Sequence, residues 1–208
     1  MRAFTNPTAR KLALAGSVAA VGLLLSACGS DGDSMSGMEH GGKTSASASP
    51  SSPASASASF NDADVAFAQA MIPHHQQALE MAKLADGRAE DAEVQKIVAA
   101  IEKAQDPEIA TMKSWLKGWG KPESAAHGGH DMAGMMTEQD MKDLEALKGK
   151  PFDRKFAELM IAHHEGAVEM ARTELKDGRD EKAKKLAADV VRTQSAEIAE
   201  LRKILDRL

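Results

Sequence analysis

Cysteine occurs once in this chain of 208 residues, tyrosine is absent, and aromatic side chains make up only 3%. With Cys28 as the one thiol, the chain has no intrachain disulfide and no zinc–thiolate site. The sequence also contains no Gly-rich phosphate loop before a helix and no nucleophile-elbow motif. Its serines cluster near the N-terminus rather than beside a base, and nothing specifies an enzyme substrate. The formal charge of −5 argues against a nucleic-acid partner.

Long apolar runs are scarce too. The one at the N-terminus, Leu12 to Leu25, follows Arg2, Arg10 and Lys11 and ends in LSAC. It is too short and too rich in Ala, Gly and Ser to span a bilayer. Residues 1–27 therefore read as a secretory signal peptide of the lipoprotein type, with Cys28 as the lipidated first residue of the mature chain. That places the mature chain outside the cytoplasm, anchored by lipid to the outer face of the cell membrane. Its removal takes away three positive charges and leaves a formal charge of −8. Residues 28–59 are Ser, Ala, Gly and Pro with almost no large apolar side chain, the composition of a flexible, disordered tether.

Residues 60–208 are long enough for one domain with a substantial core. Strand alternation is missing there, and apolar positions recur at spacings of three and four, so the fold class is all-α. FAQAMIPHHQQALEM at 67–81 returns as FAELMIAHHEGAVEM at 156–170, identical at nine of fifteen positions. Phe67, Met71, His74, Ala78, Met81 and Ala85 follow steps of 4, 3, 4, 3 and 4, with His75 on the adjoining stripe. Both histidines thus fall on the wide buried face of a helix. Asp86-Gly87-Arg88 and Asp177-Gly178-Arg179 end the two copies of this helix, and a second amphipathic helix follows each. In those second helices AQDPEIATM aligns with TQSAEIAEL, matching Gln105 to Gln194 and Glu108 to Glu197.

Each copy, 60–119 and 152–208, is one helical hairpin that would leave its apolar face in water if it stood alone. Packed face to face, two such hairpins make a four-helix bundle. The connection at 120–151 is long for a bundle, and Thr137-Glu138-Gln139-Asp140 is suited to cap a short extra helix within it.

Every histidine has methionine nearby. The core motifs supply Met71, His74, His75 and Met81, and again Met160, His163, His164 and Met170. Weaker candidates are His127, His130, Met132, Met135 and Met136 in HGGHDMAGMM, read as a flexible metal-capture segment, and Met35, Met38 and His40 in the tether. Thioether sulfur is a soft ligand and imidazole a borderline one, a pairing without thiolate that suits Cu(I). Met71 lies one helical turn before His74 and His75, and Met160 one turn before His163 and His164, so sulfur and nitrogen can reach one ion from one face. Gln105 and Gln194, on apolar stripes, are candidates to orient the imidazoles from behind.

Other readings use the same residues. A lone core histidine or a core methionine is ordinarily packing, and four histidines can form a buried hydrogen-bond network in a non-metal ligand-binding or adaptor bundle. A ferritin-like metal oxidase would need Glu-x-x-His pairs and further inward carboxylates. No Glu-x-x-His occurs in the chain, and Glu80 and Glu169 fall beside the apolar stripes.

DVAFAQAMIPHHQQALEMA and DRKFAELMIAHHEGAVEMA, each followed by Gln-x-x-Glu-Ile, resemble the secreted bacterial domain-of-unknown-function family typified by the CopM-like copper-binding proteins. The resemblance runs from about Phe60 to Leu208. Its pattern falls on Asp64, Phe67, Met71, Ile72, His74, His75, Glu80, Met81 and Ala82, and on Asp153, Phe156, Met160, Ile161, His163, His164, Glu169, Met170 and Ala171. The resemblance implies a ferritin-like bundle and, in members with a known role, extracytoplasmic copper binding and resistance. The expectation is a tethered protein that sequesters Cu(I) without catalysis, or hands it to a copper-transfer protein.

Overall fold

A computed structural model describes residues 59–124 and 132–208. The expected signal peptide, Cys28, the expected tether with Met35, Met38 and His40, and the loop histidines His127 and His130 lie outside the described residues.

Five α-helices and no strand occur among the described residues: α1 (Asp62–Leu84), α2 (Ala92–Gly118), α3 (Glu138–Ala146), α4 (Lys150–Asp177) and α5 (Glu181–Arg207). Helices α1 and α2 form one hairpin, α4 and α5 the other. The hairpins join through α1 against α4 and α2 against α5, giving a four-helix bundle, while α3 lies against α1 and α4.

Helix starts are set by local side chains. Asn61 caps α1 in a reciprocal box with Asp64, and Thr137 does the same for α3 with Asp140. These side chains satisfy N–H groups that the first turn of a helix leaves without partners. Asp91 and Asp180 cap α2 and α5 by accepting from the N–H groups two and three residues on. Gly87, with φ of 65°, supplies the left-handed step in the α1–α2 turn.

Two aspartates tie the hairpins together. Asp64, near the start of α1, accepts from the backbone N–H groups of Arg179 and Asp180 at 2.9 and 2.8 Å. Asp153, near the start of α4, accepts from those of Glu90 and Asp91 at 3.2 and 2.9 Å. Each aspartate closes the turn of the other hairpin, which makes α1 and α4 antiparallel and relates the copies by a pseudo-twofold axis.

The apolar core has two parts. One contains Met81, Ile101, Leu144, Phe152, Phe156 and Met160, and the other Met71, Ile72, Met112, Leu116, Ala167 and Ala171. Burying each large apolar side chain is worth about 1.5–3 kcal/mol. On both α1 and α4 the histidine pair falls in sequence between residues of the two parts, forming a polar layer at mid-bundle.

Candidate metal centre

His74, His75, His163 and His164 all have zero solvent exposure. The helical period that carries Phe67, Met71 and Ala78 inward carries His74 with them, and the second copy repeats the register. Across the pseudo-twofold axis, the His74 and His163 rings are in contact with centroids 3.8 Å apart and planes tilted by 38°. His163 and His164 ring centroids are 6.3 Å apart.

The outer imidazole of each pair meets a carboxylate from its own hairpin. His75 Nε2 bonds Glu108 Oε2 at 2.7 Å, and His164 Nε2 bonds Glu197 Oε2 at 2.7 Å. Both glutamates keep 19% of their side-chain surface in solvent. The inner pair is treated unequally: His74 Nε2 donates to the carbonyl of Ala133 at 3.3 Å, whereas neither ring nitrogen of His163 has a partner. The Nδ1 atoms of His74, His75 and His164 are also buried without partners.

Ala133 belongs to a strap formed by residues 132–136 of the long connection. Gln77 holds its end through two bonds, donating from Nε2 to the carbonyl of Met136 at 2.9 Å and accepting from the Met136 N–H at 2.7 Å. The strap approaches α4 so closely that a Cβ on Gly166 would collide with the Ala133 carbonyl, and one on Gly134 would lie 2.6 Å from the Ala162 carbonyl oxygen. Glycine at both positions permits this approach.

Burial holds His74 neutral, its pKa lowered to about 3, first by desolvation and then by the closeness of a second ionisable imidazole, His75. His163 is lowered well below the usual value, again first by burial and then by His74. Neutral imidazole is the form that binds metal.

Met71, Met81 and Met160 are completely buried, and Met170 is half-buried against the part of the core that holds Met71. Met132, Met135 and Met136 lie in the strap, half-buried. Gln105 and Gln194 are buried at 2% and 3% exposure, but their Oε1 atoms have no partner. Among the described residues the carboxylate contacts to imidazole come from Glu108 and Glu197, one turn further along. Their recurrence in both copies of Gln-x-x-Glu-Ile was the available signal. Glu80 and Glu169 are exposed.

Among the described residues no three His, Asp or Glu side chains converge to hold an ion. A carboxylate cage of the kind a ferritin-like metal oxidase uses is therefore not formed there. Thioether sulfur together with imidazole is a donor set that suits a soft, low-charge cation. Uncoordinated, the layer carries several orphan nitrogens, each costing about 1–3 kcal/mol if left with an unsatisfied donor or acceptor.

The family model for a domain of unknown function, DUF305, matches residues 64–205. A DUF305 protein from Streptomyces coelicolor, assigned as secreted, is 34% identical, with 69% of this chain and 92% of that chain covered and a TM-score of 0.65. A DUF305 fragment from Deinococcus radiodurans is 31% identical over 71% of this chain and 98% of its own, also with a TM-score of 0.65. CopM in its Cu(II)-bound form is 35% identical over 69% of this chain and 95% of its own, with a TM-score of 0.60. CopM has also been solved with Cu(I) and with silver. No curated protein matches the sequence.

Proposed function

Because the chain belongs to the DUF305 family, we propose that it is an extracytoplasmic copper-binding protein, tethered to the membrane through lipid on Cys28. In this reading it sequesters Cu(I) in the methionine–histidine layer of the bundle. The observation that carries the reading is the set of four buried imidazoles with partnerless nitrogens, set between buried methionines. A core built only for packing gains nothing from such nitrogens, and a completed hydrogen-bond network would leave none. The copper- and silver-bound forms of CopM support the same cation class.

Met71, His74, His75 and Met81 from one hairpin, with Met160, His163, His164 and Met170 from the other, are the residues that would hold the ion. Nothing in this role requires catalysis. Sequestration at the outer face of the membrane, or delivery to a copper-transfer protein, needs only tight binding and an exit.

Anaerobic titration of the protein with Cu(I) against a competing chelator, with Zn(II) and Fe(II) in parallel, tests the reading. Tight Cu(I) binding with weak binding of the other two is expected. Equal or stronger binding of Zn(II) or Fe(II), or no binding at all, would overturn it.

A further inference from the structure

The two contacts between histidine and glutamate are unlike the rest of the layer, because they are duplicated without change. In both hairpins the partners are 33 residues apart, the imidazole has zero exposure, and Nε2 meets Oε2 at 2.7 Å. In both, Nδ1 is buried with no partner.

We propose that Glu108 and Glu197 are positioning residues that lock His75 and His164 as Nε2–H tautomers, so that each offers Nδ1 as the atom that binds a soft metal ion. This assignment rests on the copper reading above.

A carboxylate oxygen only accepts at 2.7 Å, so Nε2 must carry the proton. Placing the proton on Nδ1 instead would strand a buried donor with no acceptor and face two lone pairs at hydrogen-bond distance. Both ends of the ring therefore select the same tautomer. The free lone pair sits on Nδ1, the ring nitrogen nearer the helix backbone. A carboxylate behind an imidazole also raises its strength as a ligand and fixes the plane of the ring.

Each lock lies inside one hairpin, with Met71 a turn before His75 and Met160 a turn before His164. Neither glutamate needs to touch the ion. The inner histidines lack such a carboxylate, which separates the two members of each His-His pair by role.

The test uses the protein labelled with ¹⁵N in histidine, free of metal and then loaded anaerobically with Cu(I), which is diamagnetic. Long-range ¹H–¹⁵N correlation of the metal-free protein should show Nε2–H and a bare Nδ1 at His75 and His164, and loading should move the Nδ1 resonances while Nε2 keeps its proton. Glu108→Ala should blur the tautomer of His75 alone and weaken Cu(I) binding by about tenfold to a hundredfold. Glu108→Gln, which retains an acceptor, should restore part of both, and Glu197 variants should act in the same way on His164. An Nδ1–H tautomer at these positions in the wild type, or loading that moves Nε2, would overturn the proposal. So would a Glu108→Ala protein with unchanged tautomer and affinity. A wild type that binds no Cu(I) overturns the copper reading and the ligand role with it, whereas the metal-free spectrum decides the tautomer lock on its own.

Discussion

His74 and His163, 89 positions apart in the chain, meet at the pseudo-twofold axis with centroids 3.8 Å apart, yet only His74 has a hydrogen-bond partner. The partner, Ala133, comes from the connection between the repeats, which has no second copy. The duplicated hairpins supply a symmetric layer, and the single linker makes it asymmetric.

Both inner histidines should make the metal-free fold sensitive to acid. Their folded-state pKa values lie below the usual 6.5, with His74 at about 3, so between pH 6.5 and 3 the unfolded chain binds protons that the fold refuses. Stability contributed above pH 6.5 is therefore lost progressively as pH falls toward 3. Urea midpoints measured across this range should fall with pH, and the double variant His74→Leu with His163→Leu should flatten the slope.

Replacing a whole pair separates packing from ligation. His74→Leu with His75→Leu should fold, because apolar groups of similar bulk replace buried polar ones. It should lose the melting-temperature rise expected of the wild type with Cu(I), worth about 2.7 kcal/mol at a free concentration one hundred times Kd. His163→Leu with His164→Leu then reads the geometry: if each double variant abolishes all core binding the ion is shared, and if each removes half there are two sites. Full retention of Cu(I) stoichiometry by either variant would remove that pair from the site.

Gly166→Ala tests the strap. Alanine in a helix interior is ordinarily favoured over glycine by about 1 kcal/mol, but here the added methyl meets the Ala133 carbonyl. The variant should keep its helix content, release residues 132–136 from α4 and become more sensitive to limited proteolysis in the 120–136 connection. Unchanged proteolysis would mean that the strap accommodates the methyl.

Glu174 has no counterpart in the first hairpin, where Ala85 occupies the matching position. Its buried carboxyl is pushed up to about 8, first by desolvation and then by the neighbouring carboxylate of Asp64. At Asp64 burial works to raise the carboxyl, but the facing Glu174 carboxyl and hydrogen bonds from the N–H groups of Asn61, Asp180 and Arg179 outweigh it and hold that carboxyl low. Between pH 4.5 and 8 the fold holds a proton that the unfolded chain has released, so this group's contribution to stability falls as pH rises. Glu174→Gln should remove that slope, giving a chain more stable than wild type above pH 8 by chemical denaturation.

Lipidation is checked at Cys28. Cys28→Ser should abolish incorporation of labelled fatty acid, since the chain has no other thiol. Equal labelling in the variant would contradict the anchor.

The helices and the burial of the histidines were legible in the sequence because they depend on period alone. Phe67, Met71, His74 and Ala78 announce one face, and a second copy at a constant offset announces it again. Thr137 and Asp140 announced α3 by local chemistry in the same way. What escaped depends on how helices cross. Glu108 and Glu197 were matched between the two copies but given no role, and only the packing of α2 on α1 and α5 on α4 brings them onto imidazole nitrogens. The reading favoured Gln105 and Gln194 as orienting groups because they lie on apolar stripes, but depth in the core does not guarantee reach to a ring nitrogen. The strap was equally hidden: HGGHDMAGMM has the composition of a free loop, and the docking of its last five residues depends on Gly166, thirty positions beyond its end.

The crossed aspartates bear on how the bundle can open. Asp64 reaches residues 115 and 116 positions away, and Asp153 reaches back 62 and 63. Peeling one hairpin from the other would strip both turns of their acceptors at once, so neither hairpin can behave as an independent foldon. The slowest amides of α1 and α4 should then exchange with one common opening free energy. An ion enclosed between the hairpins would leave by local movement of the strap or by global unfolding, with no half-open bundle between them.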